Sequence, residues 1–430
     1  MKRVKSTLLH LTNYFPGYHQ HCGGAEQATL RTIQSLVSAG YQNCVATTPH
    51  DFSSGVALPR IRVQHVRTFE SLLCWPLVSC VEILKWYSLQ FDPLIPKQLD
   101  RIHRRQGFSC VLAYNAQFLT AAAYSWASRH RLPLIQFVYD YWLFCPLTTL
   151  MQTAGPCRRE HGTHCLSCLP SSMRFIQRLF LYLRTIVFRR IRSLIDWWVV
   201  LSEASKRLLV EFGIRPERVV VIPVAMNPDW FPVYEGPVDE HRLFFAGWLQ
   251  QRKGLEVLIQ ALPKVVEEFP GVWLDVFTMS VKWEAGYEQR VERLVRELGL
   301  EARVRLCKTK DVERFRESWK RAAVVVIPEQ WENMSPLILL ESQLIGKFVV
   351  ASRLGGIPEY VAEGVTGLLF DSQDPVDLAD RIIQALRGGR QQQIMARVNG
   401  PDMIRERCHP DTVGKKLQQV VLAAQRQGVF

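Results

Sequence analysis

"AAVVVIPEQWENMSPLILLESQLIGKFVVASRLGGIPEYV", residues 322–361, reads as a strand, a polar loop, an apolar helix, a second strand and a glycine pair. The first run is β-branched and continuously apolar up to Ile327 and Pro328, and the second covers Phe348–Ala351. Strands apolar on both faces and joined by a helix belong to a parallel sheet covered on both sides. The helix is expected to open near Ser335, with Ser335 or Asn333 as its cap and Pro336 in its first turn. Glu332 and Asn333 then sit at a strand's carboxyl end, with Glu341 about two turns up the helix. Backbone N–H groups at a helix start favour an anion, and carboxylates nearby accept from sugar or ribose hydroxyls.

The same alternation extends in both directions. Upstream lie strand-like runs at Leu243–Ala246, Trp273–Phe277 and Val304–Leu306. The first half repeats it at Thr7–Thr12, Cys44–Thr48, Ile61–Val66, Ser109–Ala113, Leu134–Val138, Trp197–Leu201 and Val219–Ile222. Helical patterns such as Glu26–Ser38 and Glu203–Phe212 lie between. A Pro- and acid-rich stretch without periodicity, 226–240, separates the halves. The fold class is therefore α/β, with two Rossmann-like doubly wound domains: 1–225, carrying a cysteine-containing insertion at 145–170, and 241–410. A closing helical segment within 411–430 is expected to pack back on the domains. In such sheets ligands bind beyond the carboxyl ends of the strands, and the cleft between two domains is the expected site.

Within 430 residues, 48% hydrophobic and 22% charged, the composition is that of a soluble globular protein. The net charge of +13 is unevenly placed. Residues 1–225 carry 26 Lys and Arg against 12 Asp and Glu, whereas the remainder is nearly neutral. Such asymmetry points the first half toward an anionic partner. "MRFIQRLFLYLRTIVFRRIR", 173–192, carries six arginines and no acid among apolar residues, a basic amphipathic helix suited to an anionic membrane surface. The alternative is a core helix whose arginines face solvent. No nucleic-acid motif accompanies the charge, so nucleic acid is not an expected partner. The basic start is interrupted by His10, Asn13 and Pro16, too soon for a signal peptide, and a cytoplasmic protein is expected.

Further elements carry chemistry. "LFFAGWLQQRKGLEVLIQAL", 243–262, runs from strand through Gly247 to Arg252 and Lys253 at a strand–helix junction, where cations neutralise a diphosphate. Gly355 and Gly356 let backbone approach a ligand, and Gly23 and Gly24 open the first helix. Neither a dinucleotide G-x-G-x-x-G nor a G-x-x-x-x-G-K-[ST] loop is present, which argues against a dehydrogenase or ATPase. Cys145, Cys157, Cys165 and Cys168 include one C-x2-C and could hold a structural zinc ion; free thiols in a packed loop are the alternative.

These elements, in this order, resemble the retaining nucleotide-sugar glycosyltransferases of family 4, which have the two-domain GT-B fold. The resemblance covers nearly the whole chain and is strongest over 241–371. It includes "VYDYWLFCP" (138–146) and "VVLSEASKRLL" (199–209). It implies sugar transfer with retention from a nucleotide-diphosphate sugar, without a required cofactor, to a glycan or lipid-linked acceptor. By that resemblance Lys253 binds the donor diphosphate, Glu341 the ribose, and Glu332 and Asn333 the sugar. Gly355 and Gly356 line the pocket, and Tyr139 and Asp140 belong to the catalytic side of the first domain. The chain departs from the pattern in three places. Trp248 replaces an arginine, Tyr139 replaces a histidine, and eight residues rather than seven separate Glu332 from Glu341. These departures suggest the alternative of a nucleotide-sugar-binding partner protein with little or no transferase activity.

Overall fold

The computed structural model describes residues 6–19, 22–49, 58–73, 81, 85, 91–152, 155–160, 162–168, 174–280, 285–308 and 311–427. The chain divides into two compact units. The first comprises 1–150, 158–225 and 410–430, the second 151–157 and 226–409.

The first unit is built on seven parallel strands in the order β3-β2-β1-β4-β5-β8-β9. They are β1 (Thr7–Leu11), β2 (Gln42–Thr47), β3 (Ile61–His65), β4 (Phe108–Ala113), β5 (Leu134–Phe137), β8 (Trp197–Val200) and β9 (Val219–Val221). Leu8, Leu9 and Leu11 are fully buried, as the unbroken apolar run requires of a central parallel strand. His10 shares that strand and is also fully buried, between the Tyr114 hydroxyl at 3.0 Å and Asn43 Oδ1 at 2.9 Å. The Asn43 amide nitrogen donates to Tyr41 O, so its Oδ1 accepts from His10 Nε2–H, leaving Nδ1 to accept from Tyr114. Burial pushes the His10 pKa down to about 4, and the ring stays neutral.

The terminal helix, Pro410–Gln427, belongs to this first unit. It lies on the helix Gly24–Ser38, where a Cβ at Gly414 would sit 3.4 Å from Ser35 O, and Gln425 donates to Ser109 Oγ at 2.9 Å.

The second unit has six parallel strands ordered β12-β11-β10-β13-β14-β15. They are β10 (Asp239–Leu249), β11 (Trp273–Ser280), β12 (Val304–Cys307), β13 (Ala322–Ile327), β14 (Val349–Ser352) and β15 (Gly367–Phe370). Helices Leu255–Glu268 and Pro375–Cys408 pack into its core through Leu258, Ile259, Leu262, Leu378 and Ile382. Gly389, at φ 48° and ψ −131°, breaks the longer helix in two. The first strand runs past Ala246, so Gly247 lies inside β10 opposite Thr278 rather than in a loop. A small antiparallel hairpin, β6 (Met151–Gln152) with β7 (Gly155–Pro156), completes the described strands.

Candidate functional site

In the second unit the predicted residues gather beyond the carboxyl ends of neighbouring strands. After β10, a turn at Gln251–Lys253 leads to Gly254 and the helix Leu255–Glu268. Gly254 has φ +71°, and a Cβ there would sit 1.7 Å from Pro328 O at the end of β13. Only glycine allows the two loops this approach. Gln330 N donates to Arg252 O at 2.8 Å, which joins them a second time.

The side chains make the closer connection. Lys253 Nζ lies 2.5 Å from Glu329 Oε1, and Trp331 Nε1 donates to Glu329 Oε2 at 2.6 Å. Glu329 is 3% exposed, so both of its oxygens are spent on these partners. The Arg252 guanidinium stands 4.8 Å from the centre of the Trp331 ring, while its Nε donates to Gln250 Oε1 at 2.9 Å. Burial lowers the Lys253 pKa, the Glu329 carboxylate opposes that shift, and the Arg252 charge adds to it. Gly247 lies beside the lysine stem, since a Cβ there would meet Lys253 Cγ and Cδ at 3.6 Å, an ordinary contact.

The loop after β14 closes on the same place. Gly355 has φ +58°, and a Cβ on it would fall 2.3 Å from Asn333 O. Gly356 N donates to that same oxygen at 2.8 Å. Glu332, Asn333 and Ser335 are all buried. Ser372, following β15, donates its hydroxyl to Glu329 O at 3.2 Å. Arg252, Lys253, Glu332, Asn333, Ser335, Gly355 and Gly356 thus share one end of the sheet.

The helix start differs from the expectation. Its cap position is Pro336, without a side-chain cap, because Asn333 Oδ1 accepts from Ser335 N at 3.2 Å and closes a turn one step earlier. Glu341 is consequently the fifth residue of the helix Leu337–Leu344, little more than one turn up, and half-buried. Glu329 and Trp331 were not among the residues picked from sequence. Their signal is a carboxylate directly after the strand-ending proline, whose meaning depends on a lysine 76 positions away.

The remaining predicted residues belong to the first unit. Gly23 caps the helix Gly24–Ser38, and its N–H is held by Glu26 Oε2 at 2.8 Å. Tyr139 follows β5, is buried, and hydrogen-bonds Thr32 Oγ1 at 3.0 Å; burial pushes its hydroxyl pKa upward. Asp140 Oδ1 accepts from Trp142 N at 2.9 Å, a turn-closing role.

The structure does not gather the four cysteines into a zinc site. Among the described residues no three His, Cys, Asp or Glu side chains are grouped to hold a metal ion. Cys157 Sγ accepts from Gln152 at 3.3 Å in the hairpin, Cys165 packs with Leu181 and Leu166, and Cys168 Sγ lies 3.9 Å from Ser167 Oγ. Cys165 Sγ lies 3.6 Å from His164 Nε2, and Cys168 N donates to Cys165 O in the same turn, but no third ligand side chain joins them among the described residues.

The basic helix is Arg174–Ser193, residue 173 lying outside the described residues. Its arginines do not share one face. Arg184 is buried, donating to Trp142 O and to Cys145 O at 3.4 Å, and Arg192 pairs with Glu160 at 2.5 Å. Arg178, Arg189 and Arg190 are exposed. Leu179, Tyr182, Leu183 and Ile186, spaced to share one helical face, are exposed by 39–60%. Among the described residues, no helix is long and apolar enough to cross a membrane.

Residues 23–225 match the model of the glycosyl transferase 4-like domain, and residues 227–399 that of the glycosyl transferases group 1. The chain belongs to the group 1 glycosyltransferases. Among similar members, a D-inositol 3-phosphate glycosyltransferase from Corynebacterium urealyticum is 36% identical over 162 residues. That covers 37% of this chain and 38% of the relative. One from Corynebacterium aurimucosum is 28% identical over 261 residues, 57% of this chain and 62% of the relative. The chain therefore spans less than two thirds of the length of these relatives. Among solved structures, Anabaena Alr3699/HepE in complex with UDP-glucose has a TM-score of 0.68 at 19% identity, covering 97% of this chain and 100% of that one. Sucrose-phosphate synthase (tll1590) from Thermosynechococcus elongatus has a TM-score of 0.72 at 19% identity, covering 97% and 98%. These likenesses give this group 1 glycosyltransferase the GT-B fold, with two Rossmann-like domains.

Proposed function

We propose that the protein is a retaining glycosyltransferase that takes a sugar from a nucleotide-diphosphate sugar and delivers it to a lipid-linked or polysaccharide acceptor in cell-surface glycan synthesis. The observation that carries this reading is the meeting of Lys253 and Arg252 with the Glu332–Asn333 and Gly355–Gly356 loops at one end of the second sheet. The two cations neutralise the diphosphate as it departs, a fixed electrostatic arrangement that needs no reorganisation during transfer. Glu341 accepts from the ribose hydroxyls, and Glu332 and Asn333 hold the sugar. The UDP and UDP-glucose complexes of the Anabaena neighbour support a uridine nucleotide as the first donor to try.

The acceptor reading draws on the helix Arg174–Ser193. Its exposed apolar stripe, Leu179, Tyr182, Leu183 and Ile186, flanked by Arg178 and Arg190, fits an anionic bilayer surface and a peripheral cytoplasmic protein. A second reading, a nucleotide-sugar-binding partner with little turnover, has one observation in its favour. Tyr139 stands where the family pattern has a histidine, and it is buried and bonded to Thr32.

Calorimetry with UDP, GDP and ADP, on the wild type and on Glu341→Ala, tests the donor site. One nucleotide is expected to bind, and Glu341→Ala to weaken it. A ligand at a hundred times its dissociation constant stabilises the native state by about 2.7 kcal/mol, so a thermal shift provides the screen. Release of nucleotide from the matching sugar donor, in the presence of lipid or glycan acceptors, separates the transferase from the binding partner. Absence of binding by all three nucleotides would overturn the proposal.

A further inference from the structure

The loop after β13 carries a carboxylate for which donor binding alone gives no reason. Glu329 is negative and buried where a diphosphate is proposed to bind, and it is bonded to the very lysine meant for that diphosphate. An anion at that place would ordinarily repel the ligand.

The bonding pattern resolves the contradiction. One Glu329 oxygen is taken by Lys253 and the other by the Trp331 indole N–H. The carboxylate thus presents its charge inward, to one ammonium and one indole. Trp331 in turn seats the Arg252 guanidinium on its ring. Arg252 makes no ion pair with any described residue, and its Nε is fixed by the neutral Gln250. The assembly Arg252–Lys253–Glu329 therefore keeps one net positive charge, held in place by an aromatic strut.

We propose that Glu329 is a positioning residue for the donor's diphosphate: through Trp331 it holds Lys253 and Arg252 as a single two-cation clamp, aimed before any ligand arrives. This rests on the nucleotide-sugar reading above and goes beyond it in naming what arms the site. The clamp has a physical reason. Lys253 is only 19% exposed and has Arg252 as its neighbour, so both burial and like charge favour its neutral form. Arg252 on its own turn and Glu329 on the facing loop are the charged groups whose fields act on it. A neutral lysine would contribute little to a diphosphate. Glu329 keeps the ammonium charged, and the indole bond keeps the carboxylate from swinging toward the ligand.

The test is UDP binding by calorimetry from pH 6 to 9.5, on the wild type, Glu329→Gln, Glu329→Asp and Trp331→Phe. Glu329→Gln keeps the shape and removes the charge. Its affinity is expected to fall off at a lower pH than the wild type's, by about 1–3 pH units, as expected for losing an opposite charge in contact. Glu329→Asp is expected to bring part of the alkaline range back. Trp331→Phe, which keeps a ring and loses only the indole N–H, guards against a folding defect in the first variant and is expected to move the limb the same way by less. Unchanged alkaline limbs in Glu329→Gln and Trp331→Phe would overturn the inference. So would tighter UDP binding by Glu329→Gln, which would make the carboxylate a competitor of the diphosphate. If the wild type binds none of UDP, GDP and ADP, the functional reading itself fails, and this inference with it.

Discussion

Lys253 and Glu329, 76 positions apart, form an ion pair at 2.5 Å in which the carboxylate is 3% exposed. Removing one partner of such a pair costs more than the pair contributes, because the other charge is left buried and alone. Lys253→Ala is expected to destabilise the second unit by about 3 kcal/mol, and a Lys253→Ala/Glu329→Ala double variant by clearly less than the sum of the two single changes. Urea unfolding of the four proteins completes the cycle. Additive effects would mean that the two groups do not interact in solution.

The approach of Gly254 to Pro328 O leads to a steric prediction. A left-handed backbone costs a side chain about 1–2 kcal/mol, and a Cβ 1.7 Å from a carbonyl oxygen cannot be accommodated without moving a loop. Gly254→Ala is expected to lose at least about 3 kcal/mol of stability. Gly355→Ala meets Asn333 O at 2.3 Å and is expected to disturb the Glu332–Asn333 loop, lowering donor affinity as well as stability. Gly364→Ala has φ +78° with nothing within 4 Å of its Cβ, and serves as the control with the backbone cost alone. Thermal melts and UDP titrations distinguish the three. Equal losses for Gly355→Ala and Gly364→Ala would mean that the loop contact has no role.

His10 gives an acid limb to stability. Its pKa is depressed to about 4 in the folded chain from 6.5, through burial first, with the Asn43 bond opposing. Between those values the unfolded chain binds the proton and the folded chain does not, so stability rises with pH across the window. The contribution is complete above pH 6.5 and falls away as pH drops toward 4, by about 3 kcal/mol in all. Denaturant midpoints from pH 4 to 7 should show this slope. His10→Gln, which keeps a polar group without titrating in the range, should flatten it. An unchanged slope would place the acid sensitivity elsewhere.

Much of this architecture is legible along the chain because parallel strands leave an unmistakable mark. Val324, Val325 and Val326 are buried on both sides of β13, as the unbroken apolar run implies. β15, Gly367–Phe370, is hard to see because it opens on a glycine and follows a turn rather than a helix. The site is legible where chemistry sits at an element's end, as with Lys253 and Gly355. It is opaque where a residue matters through a distant partner. Nothing local distinguishes Glu329 from a solvated acid, and Asn333 could not be seen to close its own turn with Ser335. The cysteines mislead for the opposite reason. C-x2-C spacing supplies two ligands, but a tetrahedral site needs two more brought in by the fold, and among the described residues no third ligand joins them.

The exposed stripe on Arg174–Ser193 gives the last prediction. Leu179, Tyr182, Leu183 and Ile186 are apolar and between 39% and 60% exposed, on a helix whose inward side is already filled by Leu181, Arg184 and Phe188. Flotation with vesicles containing anionic lipid is expected to carry the wild type, and neutral vesicles to carry less. Arg178→Glu with Arg190→Glu should weaken binding by roughly 1 kcal/mol for each charge removed, with a further loss from the charge introduced. Leu179→Ser with Ile186→Ser should reduce it at any ionic strength, since apolar burial is not screened by salt, whereas the arginine term should fade as salt is raised. The two losses therefore separate on a salt series. Arg184→Glu is a poor substitute for either pair, because Arg184 is buried against Phe188 and bonded to Trp142 O, and its loss would act through folding. Equal flotation of the wild type and both double variants would remove the membrane from the account and leave a soluble acceptor as the one to seek.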